Sequence, residues 1–457
     1  MAIAAPALDN PAMARLLIKN ARVINEGEIR DADVLVEGDR IAKVAGGIGA
    51  GGAEVIDAAG RYLMPGMIDD QVHFREPGLT GKGDLATESA AAAAGGVTSF
   101  FDMPNVDPQT TTVAALTDKY RAAQGRCTAN YAFYLGATNH NMDEIRALKP
   151  GDACGIKVFM GASTGDMLVD RLESLEKIFA DAPVQIVTHC EDTPTIRRNE
   201  EKAREQYGEQ VPMREHPNIR SAEACLKSSR LAVDLARRHD APLHVLHLTT
   251  ATEMALFSDA PRADKRITAE VCVHHLWFDD SSYDELGTRI KCNPAIKTAA
   301  DREALLAALN AGRIDIIATD HAPHTAEEKR GTYFRAPAGL PLVQHALLIL
   351  FDLVAAGRIT PELLVDRCCH APADIFGVAD RGYIREGWFA DLVLVNPAGG
   401  YSVKPSNLLY KCGWSPFEGH RFSSSIDTTI INGEVVYRDG RLTGKIAGKR
   451  LQITGCR

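Results

Sequence analysis

The sequence predicts an α/β fold: a (β/α)8 barrel with a small β-sandwich domain built from both chain ends. Three observations support this. Between residues 65 and 385, eight short apolar runs alternate with alanine- and leucine-rich segments such as TESAAAAAGG and DREALLAALNAG, the pattern of repeated βα units. Polar side chains stand at the C-terminal side of those runs, where a barrel gathers its functional groups at one mouth. Outside that span the texture changes to short β-rich runs broken by Gly, Asn and Asp. A doubly wound open sheet is the competing arrangement, and the clustering of polar strand ends favours the barrel.

In chain order, the N-terminal part of the β domain is assigned to residues 1–64, where RLLIKNARVINEGEIRDADVLVEGDRIAKVAGG has the turn spacing of hairpins. The barrel is assigned to residues 65–385. Its expected strands are MIDDQVHF, VTSFFDMP, ANYAFYLGAT, GIKVFMG, VQIVTHCED, LHVLHLTT, ITAEVCVHHLWF and IDIIATDHAPH. Residues 386–457 return to β texture in FADLVLVNPAG and SSSIDTTIINGEVVYRDGRL, with tight turns expected at Asn432-Gly433 and Asp439-Gly440. The two ends are expected to pair.

Composition narrows the function. Hydrophobic residues make up 45% and charged residues 24% of 457 residues, enough for a large core. A net charge of −9 without a basic stripe argues against nucleic acid or an anionic membrane as partner and for a small-molecule substrate. Ten cysteines show no framework spacing, and Cys154, Cys190 and Cys272 sit in apolar strand-like runs, so a reducing, cytoplasmic setting is expected. The start, MAIAAPALDNPAMARLL, lacks a basic lead and contains Asp9 and Pro11, so neither export nor a membrane span is expected.

His73, Asn105, Lys157, His189, His247 and Asp320 each follow an apolar run. Singly, each has an ordinary explanation: a satisfied histidine at a strand end, a lysine snorkelling to solvent, an aspartate capping a helix. For His247 the nearby His244 is a rival. Jointly those explanations fail, because several strands would have ended by accident in metal-compatible groups. Imidazole and carboxylate suit zinc or a similar divalent ion, with a position left open for water. Lysine ligates only after reaction with carbon dioxide, as a carbamate able to bridge two ions. Such a bridged pair activates a shared water and polarises a carbonyl, which suits hydrolysis or formation of an amide.

The ordered motifs PGMIDDQVHFREPG, MPNV, IKVFMGASTG, THCED, HVLHLTT, CNPAIK and TDHAPHTAEEK, spanning residues 64 to 435 with the later SPFEGHRF, closely resemble those of the dihydroorotase family within the amidohydrolase superfamily. The resemblance implies reversible hydrolysis of L-dihydroorotate to N-carbamoyl-L-aspartate, a step of pyrimidine biosynthesis. It implies one metal on His73, carbamylated Lys157 and Asp320, and another on Lys157, His189 and His247, with zinc expected as one or two ions per chain. Arg75, Asn105, Asn293 and His324 would hold the substrate's carboxylate and ring, and backbone groups of Ala338 and Gly339 would complete the pocket. A metal-activated hydroxide would attack the ring carbonyl, while Asp320 accepts its proton and passes it to the departing nitrogen. A homo-oligomer, with a dimer as the expected form, is also implied.

Arg75, two residues beyond His73, shares its strand face and offers a planar fork to an anion; a structural pair with Glu76 is the plainer role. Hydantoinase, dihydropyrimidinase and allantoinase substrates lack the carboxylate there, so Arg75 favours dihydroorotate among cyclic amides. The sequence departs from the family at Gln71, where a first histidine is usual. An amide oxygen is a weak ligand, so Gln71 is a doubtful member of the metal set. A weakly held pair, a single ion and a noncatalytic subunit partnering aspartate transcarbamoylase are the outcomes left open. Beyond Asp320, the loop TAEEKRGTYFRAPAG is expected to be either a lid or a solvated surface loop.

Overall fold

The structure is a computed structural model and describes residues 14–161 and 167–455. The N-terminal segment read for export signals lies outside the described residues up to position 13, as do residues 162–165 of the IKVFMGASTG motif and Cys456.

All eight expected strands form. They run Met67–Val72, Val97–Asp102, Asn130–Phe133 continued by Leu135–Gly136, Ile156–Phe159, Ile186–His189, Leu243–Val245, Ile267–Cys272 and Ile316–Ala318. Each pairs in parallel with the next. Closure comes from a parallel bridge between Val72 and His321, where the His73 N–H donates to the His321 carbonyl at 2.7 Å. Every strand end therefore opens at one rim.

Two strands are shorter than their apolar runs. LHVLHLTT leaves extended geometry after Val245, and His247 takes a positive φ of 39°. ITAEVCVHHLWF stops at Cys272 and turns into the helix Val273–Trp277. Hydrophobicity continues past both strand ends because the chain stays buried while it turns over the rim, and periodicity does not separate those two states.

The helices follow local chemistry. In Leu85–Ala94 the N-cap Asp84 and Thr87 form a capping box and Gly95 ends the helix; Ala299–Asn310 uses Thr298 and Asp301 in the same way. Ala222–His239 starts on the Ser221 cap and ends on Arg237, Arg238 and His239, cations placed against its negative dipole end. Among the described residues, no helix is long and apolar enough to cross a membrane. The nine described cysteines are free thiols, and all but Cys412 are buried.

The β domain is a nine-stranded sheet drawn from both chain ends. Tyr62–Pro65 is its junction, parallel to Arg15–Asn25 on one side and antiparallel to Leu392–Asn396 on the other. Val23, Val34, Ile41, Leu63 and Leu392 belong to its own apolar cluster. Asn432-Gly433 forms the expected turn, with φ of 51° and 78°. A side chain at 433 would also meet the Gly38 carbonyl oxygen at 1.9 Å. Past this sheet the chain returns to the barrel, where the Leu451 N–H donates to the Tyr131 carbonyl at 2.9 Å.

Candidate active site

The barrel rim surrounds a cavity of about 290 Å³ lined by all twelve residues named from the sequence: Gln71, His73, Arg75, Asn105, Lys157, His189, His247, Asn293, Asp320, His324, Ala338 and Gly339. Phe159, Arg220, Ala322 and Pro337 complete its wall. Arg75, His247 and Asp320 have φ of 71°, 39° and 49°. Left-handed backbone at three non-glycine residues is costly and concentrates where side chains must be aimed rather than merely packed.

The first strand end and the last meet at Asp320. Its Oδ1 accepts from Gln71 Nε2 at 3.1 Å and lies 3.1 Å from His73 Nε2. His73 Nδ1 donates to Asn105 Oδ1 at 2.8 Å. A neutral His73 with its proton on Nδ1 turns the Nε2 lone pair toward a carboxylate, an arrangement that calls for a cation between them. Burial, together with the charges of Arg75 and Lys157, lowers the His73 pKa despite Asp320. Gln71 is spent differently: its NH2 faces Asp320, while its Oε1, the atom able to ligate, lies 3.9 Å from Cys272 Sγ.

His189 and His247 make a second such pair. His189 Nε2 donates to Glu191 Oε2 at 3.0 Å, which leaves the Nδ1 lone pair 3.0 Å from His247 Nε2. Burial and the neighbouring His189 hold the His247 imidazole neutral, well below its ordinary range. These two imidazole nitrogens come from adjacent strands, and Glu191 fixes the His189 one as an acceptor. With the His247 proton on Nδ1, which has no partner among the described residues, they can share one divalent ion. Lys157 is 1% exposed, and its amine makes no hydrogen bond or ion pair among the described residues. Burial lowers its pKa to about 8, so part of the amine is neutral near physiological pH, the form that reacts with carbon dioxide. The donor set therefore fits divalent ions and a lysine carbamate.

Opposite these donors lies an anion-friendly wall. Arg75 Nε donates to the Pro323 carbonyl at 3.0 Å, and its Nη2 lies 3.1 Å from His324 Nε2. The expected alternative partner of Arg75, Glu76, instead pairs with Arg126 at 2.6 Å. Burial lowers Arg75 to about 10, still charged at neutral pH. His324 accepts from Lys82 Nζ at Nδ1 (3.2 Å) and donates from Nε2 to the Ala338 carbonyl (3.0 Å). Burial and the cations Arg75, Lys82 and Lys329 keep it neutral. Asn293 Oδ1 is buried without a partner among the described residues.

Gly339 has little backbone to offer a ligand, since its N–H donates to the Lys291 carbonyl at 2.8 Å and its carbonyl accepts from Lys329 at 2.9 Å. Its glycine identity is steric, because a Cβ would meet the Ala322 oxygen at 2.4 Å. The loop after Asp320 is tied down from beneath. Lys329 Nζ donates to the carbonyls of Lys291, Pro337 and Gly339, and Lys291 Nζ to those of Tyr333 and Ala336.

Sequence reasoning missed the supporting shell. Glu191 lies in the THCED motif, two residues from His189, yet was given no role. It joins His189 to Arg220. Burial would raise its carboxyl, but Arg220 and His189 outweigh that and hold it near 2. Arg220, 29 residues away, carries no local signal. Under the rim, His244 Nε2 sits 3.3 Å from Asp70 and 3.6 Å from Glu270. These carboxylates overcome burial and keep the imidazole protonated above its usual range. Glu270 in turn accepts from the His247 N–H at 3.0 Å, fixing that strand end. Cys272, His274 and His275 form a further buried donor group beside Gln71.

The Amidohydrolase family pattern matches residues 62–436. The chain is 32% identical over 430 residues to a dihydroorotase from Pediococcus pentosaceus, covering 93% of this chain and 99% of that protein. It is 33% identical over 433 residues to one from Bacillus cytotoxicus, covering 92% and 98%. Among solved structures, an L-hydantoinase (dihydropyrimidinase) from Arthrobacter aurescens superposes with a TM-score of 0.90 at 26% identity, covering 96% of this chain and 100% of that one. A dihydropyrimidinase from Brevibacillus agri gives 0.88 at 25% identity, covering 97% and 100%.

Proposed function

Since this chain belongs to the amidohydrolase family and is a hydrolase, we propose that its reaction is the reversible hydrolysis of L-dihydroorotate to N-carbamoyl-L-aspartate in pyrimidine biosynthesis. The observation that carries the reading is Arg75. Its guanidinium is braced by the Pro323 carbonyl and packed against His324 in the cavity wall, two residues from His73. That arrangement suits a ligand with a carboxylate beside the amide to be cleaved. Relatives at 32% and 33% identity named dihydroorotase support the same choice.

His73, Asp320 and carbamylated Lys157 would hold one ion, and Lys157, His189 and His247 the other, with zinc the expected metal. When bound, such ions acidify a water and polarise the carbonyl under attack. The chain's own groups do the rest. Arg75 holds the substrate carboxylate, with His324 bracing its guanidinium, and Asn293 Oδ1, without a partner among the described residues, accepts from a ring N–H. Gln71 and His73 both address Oδ1 of Asp320, which leaves Oδ2 to take the water's proton and return it to the ring nitrogen as the C–N bond breaks. Opening turns a monoanion into a dianion and releases one proton, so closure is favoured at lower pH.

The fold likeness to hydantoinases supports a second reading, a cyclic amide without the carboxylate. A noncatalytic subunit would have no use for adjoining imidazole nitrogens, a buried lysine and a braced arginine in one cavity. Assay of the purified chain, loaded with zinc and bicarbonate, on N-carbamoyl-L-aspartate, dihydroorotate, hydantoin and dihydrouracil separates the three. Turnover of the first pair is expected; turnover of only the uncharged rings would install the second reading, and none at all would remove the enzyme. Asp320→Asn is expected to lower turnover in both directions by about a hundredfold or more.

A further inference from the structure

Ring opening adds a negative charge to the ligand, and the cavity contains a second guanidinium that no step above employs. Arg220 lines the wall beside His189. Its Nη1 donates to Glu191 Oε2, the oxygen that also receives His189 Nε2, and this is its one side-chain hydrogen bond among the described residues. Its side chain keeps 10% exposure while that of Glu191 has none. Among the described residues, none of the Arg220 nitrogens is buried without a partner. A guanidinium carries five N–H donors in a fixed fork, so Arg220 presents unspent donors to the cavity on the side of the His189 and His247 pair. Arg75 stands on the side of His324.

We propose that Arg220 is a second carboxylate site, taking the oxygen of the ring carbonyl that becomes the new carboxylate, while Arg75 holds the carboxylate both ligands share. The inference rests on the dihydroorotate reading. In opening, the water oxygen bonds to the ring carbonyl carbon, the C–N bond breaks, the leaving nitrogen takes one of the water's two protons and the other is released. The ligand goes from one negative charge to two, and a cavity with two guanidiniums matches the second state. Because the carbonyl oxygen gains charge as attack proceeds, Arg220 engages in the transition state as well as in the open product.

The test is steady-state kinetics in both directions on metal-loaded Arg220→Gln and Arg220→Lys, with metal content measured on the same preparations. A substitution leaves the overall equilibrium constant unchanged, so kcat/KM falls by one factor in both directions, about tenfold or more for loss of a charge-assisted pair. The split is what discriminates. In closure, KM for N-carbamoyl-L-aspartate rises by that factor with kcat unchanged; in opening, kcat falls by it with KM for dihydroorotate unchanged. Arg220→Lys, which keeps the charge opposite Glu191, falls between wild type and Arg220→Gln. Equal rises in both KM values would overturn the proposal, as would unchanged KM values with metal lost, the sign of a purely structural role through Glu191 and His189. A wild-type chain that turns over neither compound sinks the dihydroorotate reading itself, and the inference with it.

Discussion

Gln71 donates through Nε2 to Oδ1 of Asp320 at 3.1 Å across the seam that closes the barrel. The bond joins the first strand to the last, and it turns the amide so that its oxygen points toward Cys272. At the position where a metal-ligating histidine is usual in the resembled family, this chain keeps a donor that orients a carboxylate. We read Gln71 as a positioning residue for Asp320, with His73 left as the first strand's donor to an ion.

Gln71→His replaces that amide with a ligating ring. The first ion is expected to bind about tenfold tighter, with the substrate unchanged, as read by competition with a chromogenic chelator. Equal affinity in both forms would mean that the side chain at 71 does not face the ion.

Arg75→Ala removes the braced guanidinium. For dihydroorotate, kcat/KM should drop by about a hundredfold, while any residual activity on dihydrouracil stays level. A parallel loss on both rings would assign Arg75 to structure through Pro323 and His324.

Removing metal leaves His189 Nδ1 and His247 Nε2 3.0 Å apart and the Lys157 amine buried without a hydrogen-bond partner among the described residues. The chelated protein should lose activity and melt at a lower temperature, and zinc with bicarbonate should restore both. Native mass spectrometry should show one added carbon dioxide per chain in the restored form only. Full restoration by zinc in carbon dioxide-free buffer would remove the carbamate from the scheme.

Lys329 gives a pH signature. Burial, outweighing other influences, lowers its pKa from 10.5 to about 7. Between those values the unfolded chain binds more protons than the folded one, so this lysine contributes stability that grows as pH rises from about 7 and is absent below it. Denaturant melts of wild type and Lys329→Met at pH 7 and pH 9 should show the difference between them shifting toward wild type at the higher pH. A constant difference would mean that the three carbonyls hold the ammonium charged throughout.

The barrel and its donors were legible in the sequence because their signals are local. Apolar runs of strand length mark Ile156–Phe159 or Ile186–His189, and side-chain alternation places Lys157 and His189 where a rim forms. The β domain announced itself through turn dipeptides such as Asn432-Gly433, whose conformation is a property of two residues. The tertiary structure alone decided which atoms face which. Gln71 meets Asp320 across 249 positions, Arg220 reaches Glu191 across 29, and Lys329 pins a loop through backbone carbonyls that carry no residue identity. Side-chain type and period are written along the chain, but a hydrogen bond between distant strands depends on how the cylinder closes, and that closure is set by packing of the whole barrel.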